Sequence, residues 1–203
     1  MKEKILHKAE ELFLTFGFKS VTMDDIANQM GISKKTIYAH FKNKTQLVKE
    51  STLNIFENIS KGIDCICTLN KNPIEELFEI KSFIMKQLKG EKTSPQYQLS
   101  KYYPEIHNSL KKKQFELMQD CVTDNINKGI TQELYRTNLN IEFVSRIYFI
   151  GVTGIKDEEL FPSAKFPKQQ LVENYLEYHL RGIVTKKGLS KLNQILNKNK
   201  TNE

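Results

Sequence analysis

The apolar residues at the start of the chain recur with the spacing of short amphipathic helices. In residues 2–16 they lie three and four positions apart with charged residues between them, which predicts a first helix. Gly17 then suits a left-handed helix stop, because glycine adopts that conformation without steric cost. A second helix of barely two turns is predicted from Thr22, its N-cap, to about Met30, with Asp25 placed to complete a capping box.

Two more helix starts follow at once. Gly31 permits a tight turn, and Ser33 is placed to cap a third short helix that runs to about Phe41. Asn43, with Gln46 at the N3 position, opens a fourth helix that carries the chain onward. A helix that ends at a glycine turn and is followed by a capped short helix has the sequence pattern of a helix-turn-helix, whose second helix enters the DNA major groove.

Helical periodicity continues to the end of the chain. Further helices are predicted over about 73–88, 105–129, 140–155 and 168–185. GEKTSP at residues 90–95 is predicted to be a loop, and the stretch after Lys186 to hold only a weak amphipathic turn or two before a polar tail. Since no strand pattern is present, we predict an all-α fold, with a three-helix helix-turn-helix DNA-binding domain at residues 1–46 and a larger helical ligand-binding and dimerisation domain at residues 47–203.

Charge changes this picture by indicating a partner. The chain has 31 basic and 24 acidic residues, a net charge of +7, and no acid at all between Asp25 and Glu50. The lysines in that interval are Lys34, Lys35, Lys42, Lys44 and Lys49. A local basic field of this kind favours a polyanion, most often nucleic acid.

The third helix is predicted to present this charge on one side. Ile37 and Phe41, four residues apart, would hold it on the core. Lys35, Ala39 and Lys42 fall on roughly the opposite side, so their charge is predicted to meet phosphates and base edges of DNA.

The residue pattern argues against several other classes. Cys65, Cys67 and Cys121 are too few and too oddly spaced for a disulfide framework, which predicts a soluble protein of a reducing compartment, the cytoplasm. No apolar run is long enough to span a membrane. We expect no metal, no cofactor and no enzymatic activity, since no zinc ligand set, glycine-rich phosphate loop, nucleophile elbow or HExxH pattern occurs. A redox-sensing cysteine stays open.

The stretch ILHKAEELFLTFGFKSVTMDDIANQMGISKKTIYAHFKNKTQLV resembles the N-terminal DNA-binding domain of the TetR family of bacterial transcriptional regulators, from about Lys4 to Glu50. The matching elements are Gly17-Phe18, Val21-Thr22-Met23, Ile26-Ala27, Gly31-Ile32-Ser33, Thr36-Ile37-Tyr38, His40-Phe41 and Asn43-Lys44. The rest of the chain is similar to the family in its helical layout only.

The resemblance implies a DNA-binding surface. Its residues are Thr22, Ser33, Lys34, Lys35, Thr36, Tyr38, His40 and Lys44. Lys34, Lys35 and Thr36 match base-reading positions, whereas Thr22 and Lys44 match phosphate contacts. Tyr38 and His40 match contacts to the DNA backbone, although Tyr38 as a core aromatic and His40 in a local hydrogen bond are alternatives that stay open.

The resemblance also implies a homodimer and an effector. The family commonly dimerises through its last two long helices, which match NIEFVSRIYFIGVTGI and KQQLVENYLEYHLRGIV. Gly151 and Gly154 in the first segment serve either close approach at the dimer seam or packing within one chain. Large apolar residues in the middle of the chain are candidates to line a small-molecule pocket, with ordinary core packing as the alternative: Phe78, Phe83, Tyr97, Tyr102, Tyr103, Phe115, Met118 and Tyr148.

These expectations combine into one hypothesis with two rivals. The chain is interpreted as a sequence-specific DNA-binding regulator, a ligand-responsive repressor that acts as a homodimer on a pseudo-palindromic operator. One rival is an architectural DNA-binding protein with little sequence preference, which the basic tail from Lys186 to Lys200 favours. The other is an enzyme that uses its helix-turn-helix as a protein-binding module.

Overall fold

The computed structural model describes residues 1–88 and 95–201, and the regular elements within these ranges are all α-helices. The all-α prediction is therefore confirmed. The helices are α1 Lys2–Phe16, α2 Met23–Met30, α3 Lys34–Tyr38, α4 Lys44–Cys67, α5 Pro73–Gln87, α6 Pro95–Tyr102, α7 Pro104–Thr131, α8 Ile141–Gly154, α9 Lys168–Ile183 and α10 Lys186–Thr201. Of the predicted loop at residues 90–95, only Pro95 is described, as the first residue of α6.

The chain divides into two compact units. An N-terminal unit contains residues 1–63 and 84–114, and a C-terminal unit contains residues 64–83 and the described residues from 115 onward. The predicted division at residue 46 coincides with neither limit, because α4 continues past it and the later segment packs on the first helices. Separate domains at residues 1–46 and 47–203 stay a prediction.

The N-terminal unit has one apolar core made by the helices of its head, α1 to α3, and the start of α4. The largest side chains sealed in it are Ile5, Phe13, Phe18, Ile26, Ile37, Phe41 and Leu47. Leu99 of α6 is buried in the same cluster, and Tyr103 packs against it. Burial of this much apolar surface stabilises α2 and α3, which have 8 and 5 residues and would not be stable alone.

The capping box and the glycine turn at Gly31 that the sequence predicted for the head are both present. The Thr22 hydroxyl accepts a hydrogen bond from the Asp25 backbone N–H at 3.1 Å, and the Asp25 carboxylate accepts one from the Thr22 N–H at 2.8 Å, which completes the capping box. Gly31 ends α2 in the left-handed conformation, with φ 63° and ψ 32°. Gly17 has φ 87° but ψ 155°, so it needs glycine without forming the left-handed stop that the sequence predicted.

A buried polar network fixes the C-terminal unit. The Asn125 side-chain amide of α7 donates to Glu76 Oε1 at 2.7 Å and to the Pro73 carbonyl at 2.9 Å, both at the start of α5. Tyr135 donates its hydroxyl proton to Asn125 Oδ1 at 3.1 Å, and Lys128 pairs with the other Glu76 oxygen at 2.7 Å. The network therefore joins α5 to α7 with every one of these polar groups partnered.

Two helix predictions are wrong in this unit. Helix α7 does not end at Gly129 but continues to Thr131, and Gly129 instead gives room to the ring of Tyr135. The stretch after Lys186 is not a weak turn or two but helix α10, whose Leu192 and Ile195 are buried in the core cluster. Its few apolar positions among lysines and asparagines give a weak local signal, and tertiary packing stabilises the helix.

Candidate nucleic-acid interface

Helix α3 is held on the head by its apolar face and by its cap. Ile37 and Phe41 are both sealed from solvent, as the spacing predicted. The Ser33 hydroxyl accepts a hydrogen bond from the Thr36 backbone N–H at 3.1 Å and lies 2.8 Å from the Thr36 hydroxyl. These contacts fix which side chains of the helix face outward.

The outward side carries the polar residues that the sequence singled out. Lys34, Lys35 and His40 are exposed, and Thr36 is half-buried beside its cap. Tyr38 is 44% exposed, so the alternative of a core aromatic is wrong for it. The surface can therefore offer lysine ammonium groups, a phenol and an imidazole to an external polyanion.

Lys44 is the first residue of α4, which Asn43 caps by accepting a hydrogen bond from the Gln46 N–H at 2.8 Å. The Lys44 ammonium is half-buried and donates to the Lys19 carbonyl at 3.1 Å. Desolvation lowers the pKa of Lys44, and the nearby Asp25 carboxylate opposes that shift. A partly desolvated ammonium at a helix N-terminus suits an incoming phosphate.

Lys34 departs from the prediction of unpaired charge. Its ammonium lies 2.7 Å from Asp24 Oδ2, and this hydrogen bond raises the pKa of Lys34. Lys35 and Lys42, by contrast, form no ion pair within the described parts of the chain. Sequence reasoning missed Asp24, because the acid-free interval was counted from Asp25 onward and a pair ten positions apart depends on how α2 and α3 pack.

The candidate pocket residues divide between the two units. Tyr97, Tyr102 and Tyr103 belong to the N-terminal unit, where Tyr103 packs edge to face on Phe18 at 6.5 Å. The five in the C-terminal unit are Phe78, Phe83, Phe115, Met118 and Tyr148. The eight residues therefore belong to two different units, and their role in a pocket stays a prediction.

Aromatic packing dominates around the candidates of the C-terminal unit. Phe115 meets Phe149 edge to face at 5.1 Å, and Tyr148 lies 4.7 Å from the ring of His179. A surface cleft of about 490 Å³ in this unit is lined by other residues: Asn72, Leu134, Lys187, Ser190, Lys191 and Gln194.

Two of the three cysteines, Cys67 and Cys121, are partly buried, whereas Cys65 is exposed. Burial raises the pKa of Cys121 to about 12 and also raises the pKa of Cys67, so both favour the protonated, weakly nucleophilic form. Within residues 1–88 and 95–201, no three His, Cys, Asp or Glu side chains are grouped so that they could hold a metal ion. In the same ranges, no helix combines the length and the apolar character that crossing a bilayer requires.

The sequence is similar to known bacterial regulators over the helix-turn-helix and along most of the chain. The family described as "Bacterial regulatory proteins, tetR family" matches residues 5–51. The HTH-type transcriptional repressor KstR2 of Mycobacterium tuberculosis is 25% identical over 198 residues, which cover 92% of this chain and 94% of that protein.

Solved structures share the fold. A putative transcriptional regulator from Saccharomonospora viridis in complex with choline has a TM-score of 0.76 at 16% identity, over 91% of this chain and 98% of that one. SmeT, the repressor of the Stenotrophomonas maltophilia multidrug efflux pump SmeDEF, has a TM-score of 0.69 at 17% identity, over 92% and 91% of the two chains. Because the tetR family match contains the helix-turn-helix, and the similarity to KstR2 extends along nearly the whole chain, this protein is a DNA-binding transcriptional regulator with a tetR-type N-terminal segment.

Proposed function

We propose that this protein is a cytoplasmic repressor that binds a pseudo-palindromic operator as a homodimer and leaves it when a small molecule binds the C-terminal helices. The observation that carries the proposal is the outward side of α3 and of the turn after it, where Lys34, Lys35, Tyr38 and His40 are exposed while Ile37 and Phe41 are buried in the core. KstR2 and SmeT, both repressors, support the direction of regulation. The protein needs no enzymatic activity for this role.

The proposed DNA-contacting residues divide into those that position the head on the phosphate backbone and those that read the base sequence. Thr22, Tyr38, His40 and Lys44 would fix the head on phosphates, with Ser33 keeping the start of α3 in place. The reading positions are Lys34, Lys35 and Thr36, and a lysine in the major groove can donate to guanine O6 and N7.

An apolar stripe on α8 supports a dimer. Phe143 and Ile150 are each 60% exposed, and Ile147 lies between them on the same helical face. Gly154 continues this stripe, and a side chain added there would meet nothing within 4 Å. Gly151 serves packing within the chain, since it faces the ring of Tyr175 on α9. An exposed stripe of this kind is typical of a protein interface.

Helix α9 presents a matching face beside α8. The Tyr175 hydroxyl donates to the carbonyls of Ile147 and Tyr148 at 3.2 and 3.1 Å, which pairs the two helices within one chain. Tyr178 is 78% exposed, and Gly182, four residues later, has open space beside it. We therefore place the dimer seam on α8 and α9 of two copies, in a four-helix arrangement. Two heads one helical turn apart, roughly 34 Å, would multiply sequence specificity.

The effector proposal has support of a different kind. The neighbour from Saccharomonospora viridis was solved in complex with choline. In this chain we assign the effector contacts to the candidates of the C-terminal unit, Phe78, Phe83, Phe115, Met118 and Tyr148. Helices α4, α5 and α7 each contribute residues to both units, which gives a ligand in one unit a covalent route to the other.

Selection of duplex fragments from the source genome by the purified protein tests the proposal. A repressor of this kind enriches a short pseudo-palindrome and prefers it over random DNA by roughly a thousand-fold or more. Enrichment without a common sequence would instead indicate an architectural protein. The selected operator then serves to screen small molecules for release, and unchanged operator affinity with every bound compound would refute the ligand-responsive part.

A further inference from the structure

A group of lysines and tyrosines lies on the N-terminal unit outside the helix-turn-helix. We call it the lysine–tyrosine patch, and it consists of Lys19 in the α1–α2 turn with Tyr97, Lys101 and Tyr102 on α6. The Lys19 ammonium lies 5.0 Å and the Lys101 ammonium 5.8 Å from the centre of the same Tyr102 ring. Lys101 also lies 5.4 Å from the Tyr97 ring and donates to its hydroxyl at 3.2 Å.

The patch is bonded to the proposed phosphate site of the head. Lys44 donates to the carbonyl of Lys19 at 3.1 Å. The backbone N–H of Lys19 donates to Gln98 Oε1 of α6 at 3.1 Å. One residue of the turn therefore links Lys44 to α6, and that turn leads within three positions to Thr22, another proposed phosphate contact.

The two ammonium groups of the patch are not paired with a carboxylate among residues 1–88 and 95–114. Lys19 and Lys101 are exposed, and neither forms an ion pair with a carboxylate in the described residues. The tyrosine faces attract ammonium groups without neutralising them, and they restrict the freedom of two otherwise flexible side chains. The hydrogen bond that the Lys101 ammonium donates to the Tyr97 hydroxyl raises the pKa of Lys101, so this ammonium stays charged at neutral pH. Like charges held together in this way favour an anion between or across them.

We propose that Lys19 and Lys101 bind DNA phosphates next to those held by Lys44, so that α6 extends the DNA-binding surface beyond the helix-turn-helix. The inference rests on the proposed function, because the anion it identifies is the backbone of the operator. The continuity of the patch with Lys44 and Thr22 favours a long polyanion over an isolated small anion. The tyrosines would act as positioning residues for the two ammonium groups.

The salt dependence of operator binding measures these contacts. Each phosphate contact contributes about 0.9 to the slope of log affinity against log salt. The double variant Lys19→Gln and Lys101→Gln removes two contacts from each of the two heads, so it should reduce the slope by roughly three to four and weaken operator binding at least tenfold at physiological salt. Lys101→Arg, which keeps the charge, should retain the wild-type slope.

Lys61→Gln is the matched control, because it removes one exposed lysine charge from the same unit. Lys61 lies on α4, about 25 Å along the helix axis from Lys44. If the double variant has a slope within experimental error of that of Lys61→Gln, the patch does not contact DNA and the inference is overturned. Wild-type protein without any preferred DNA site would overturn the proposed function itself. Melting temperatures of all variants, compared with wild type, separate lost contacts from lost folding.

Discussion

The Lys34 ammonium lies 2.7 Å from Asp24 Oδ2, so an ion pair joins α3 to α2 across the helix-turn-helix of the unbound head. Both side chains are about half exposed, and such a surface pair adds little to stability. Its effect is on binding, because DNA that takes up Lys34 must compete with a carboxylate beside the DNA-facing helix. Asp24 therefore disfavours binding to DNA sites that do not offer Lys34 a specific contact.

Asp24→Asn should raise affinity for random duplex DNA several-fold and raise operator affinity by less, so that the specificity ratio falls. Both affinities are measured by fluorescence anisotropy with labelled duplexes at the same salt concentration. Glu57→Gln removes an exposed acid from α4 in the same unit and serves as the control. A specificity ratio for Asp24→Asn equal to that of the control would show that Asp24 has no such role.

Lys44→Ala and Lys35→Ala should change DNA binding in different ways. Lys44, at the start of α4, is proposed to hold phosphate, so its loss from both heads of the dimer should weaken binding to all sequences alike and reduce the salt slope by nearly two. Lys35, proposed to read bases, should instead change which sequence is preferred when the selection from DNA fragments is repeated. Uniform losses in both variants would contradict the division into positioning and reading residues.

The head could be predicted well because its signals are local. Thr22 and Asp25 form the capping box that their spacing indicated, and Ser33 caps α3 as expected. The ion pair of Lys34 with Asp24 could not be predicted from the sequence, because it depends on how α2 and α3 pack. Buried apolar side chains of α10 contribute to a core shared with distant segments, so its helix could not be read from its own sequence.

The packing partners of the two glycines of α8 also could not be predicted from the sequence. Their spacing indicated close approach of a second helix, but periodicity alone did not say which helix. Gly151 faces Tyr175 of the same chain, whereas Gly154 lies on the open stripe. Three residues on an α-helix turn the side-chain direction by about 300°, so neighbouring small residues can face different partners. The division of the pocket candidates between two units could not be predicted for a related reason, since Tyr97, Tyr102 and Tyr103 belong to the N-terminal unit.

Ile150→Lys should convert the dimer to a monomer, because it places a charge in the centre of the proposed apolar seam. Operator binding should fall at least tenfold, since one head contacts only half of a pseudo-palindrome. Sedimentation velocity measures the mass, and the affinity follows from anisotropy. Leu69→Lys, at an exposed leucine of the C-terminal unit that lies outside α8 and α9, is the control and should leave the mass unchanged. A dimeric Ile150→Lys protein would place the seam elsewhere.

His179 makes the C-terminal unit sensitive to acid. The side chain is 8% exposed, and burial lowers its pKa from 6.5 to about 4. Below pH 6.5 the unfolded chain takes up a proton that the folded chain binds only near pH 4, so acidification favours unfolding. The contribution of His179 to the free energy of unfolding is fully present above pH 6.5. It should fall by about 1 kcal/mol for each pH unit between pH 6.5 and 4.

The groups that face this imidazole do not titrate in the same interval. Tyr148 and Tyr175 have ring centres 4.7 and 6.3 Å from it, and burial raises the pKa of both phenols. His179→Phe keeps an aromatic ring but removes the titration. The difference in free energy of unfolding between wild type and His179→Phe, measured by urea denaturation at fixed protein concentration, should therefore decline as the pH falls from 6.5 to 4. Carboxylates titrate in both proteins and cancel in this difference, so parallel pH profiles would mean that the His179 imidazole is not desolvated as its burial requires.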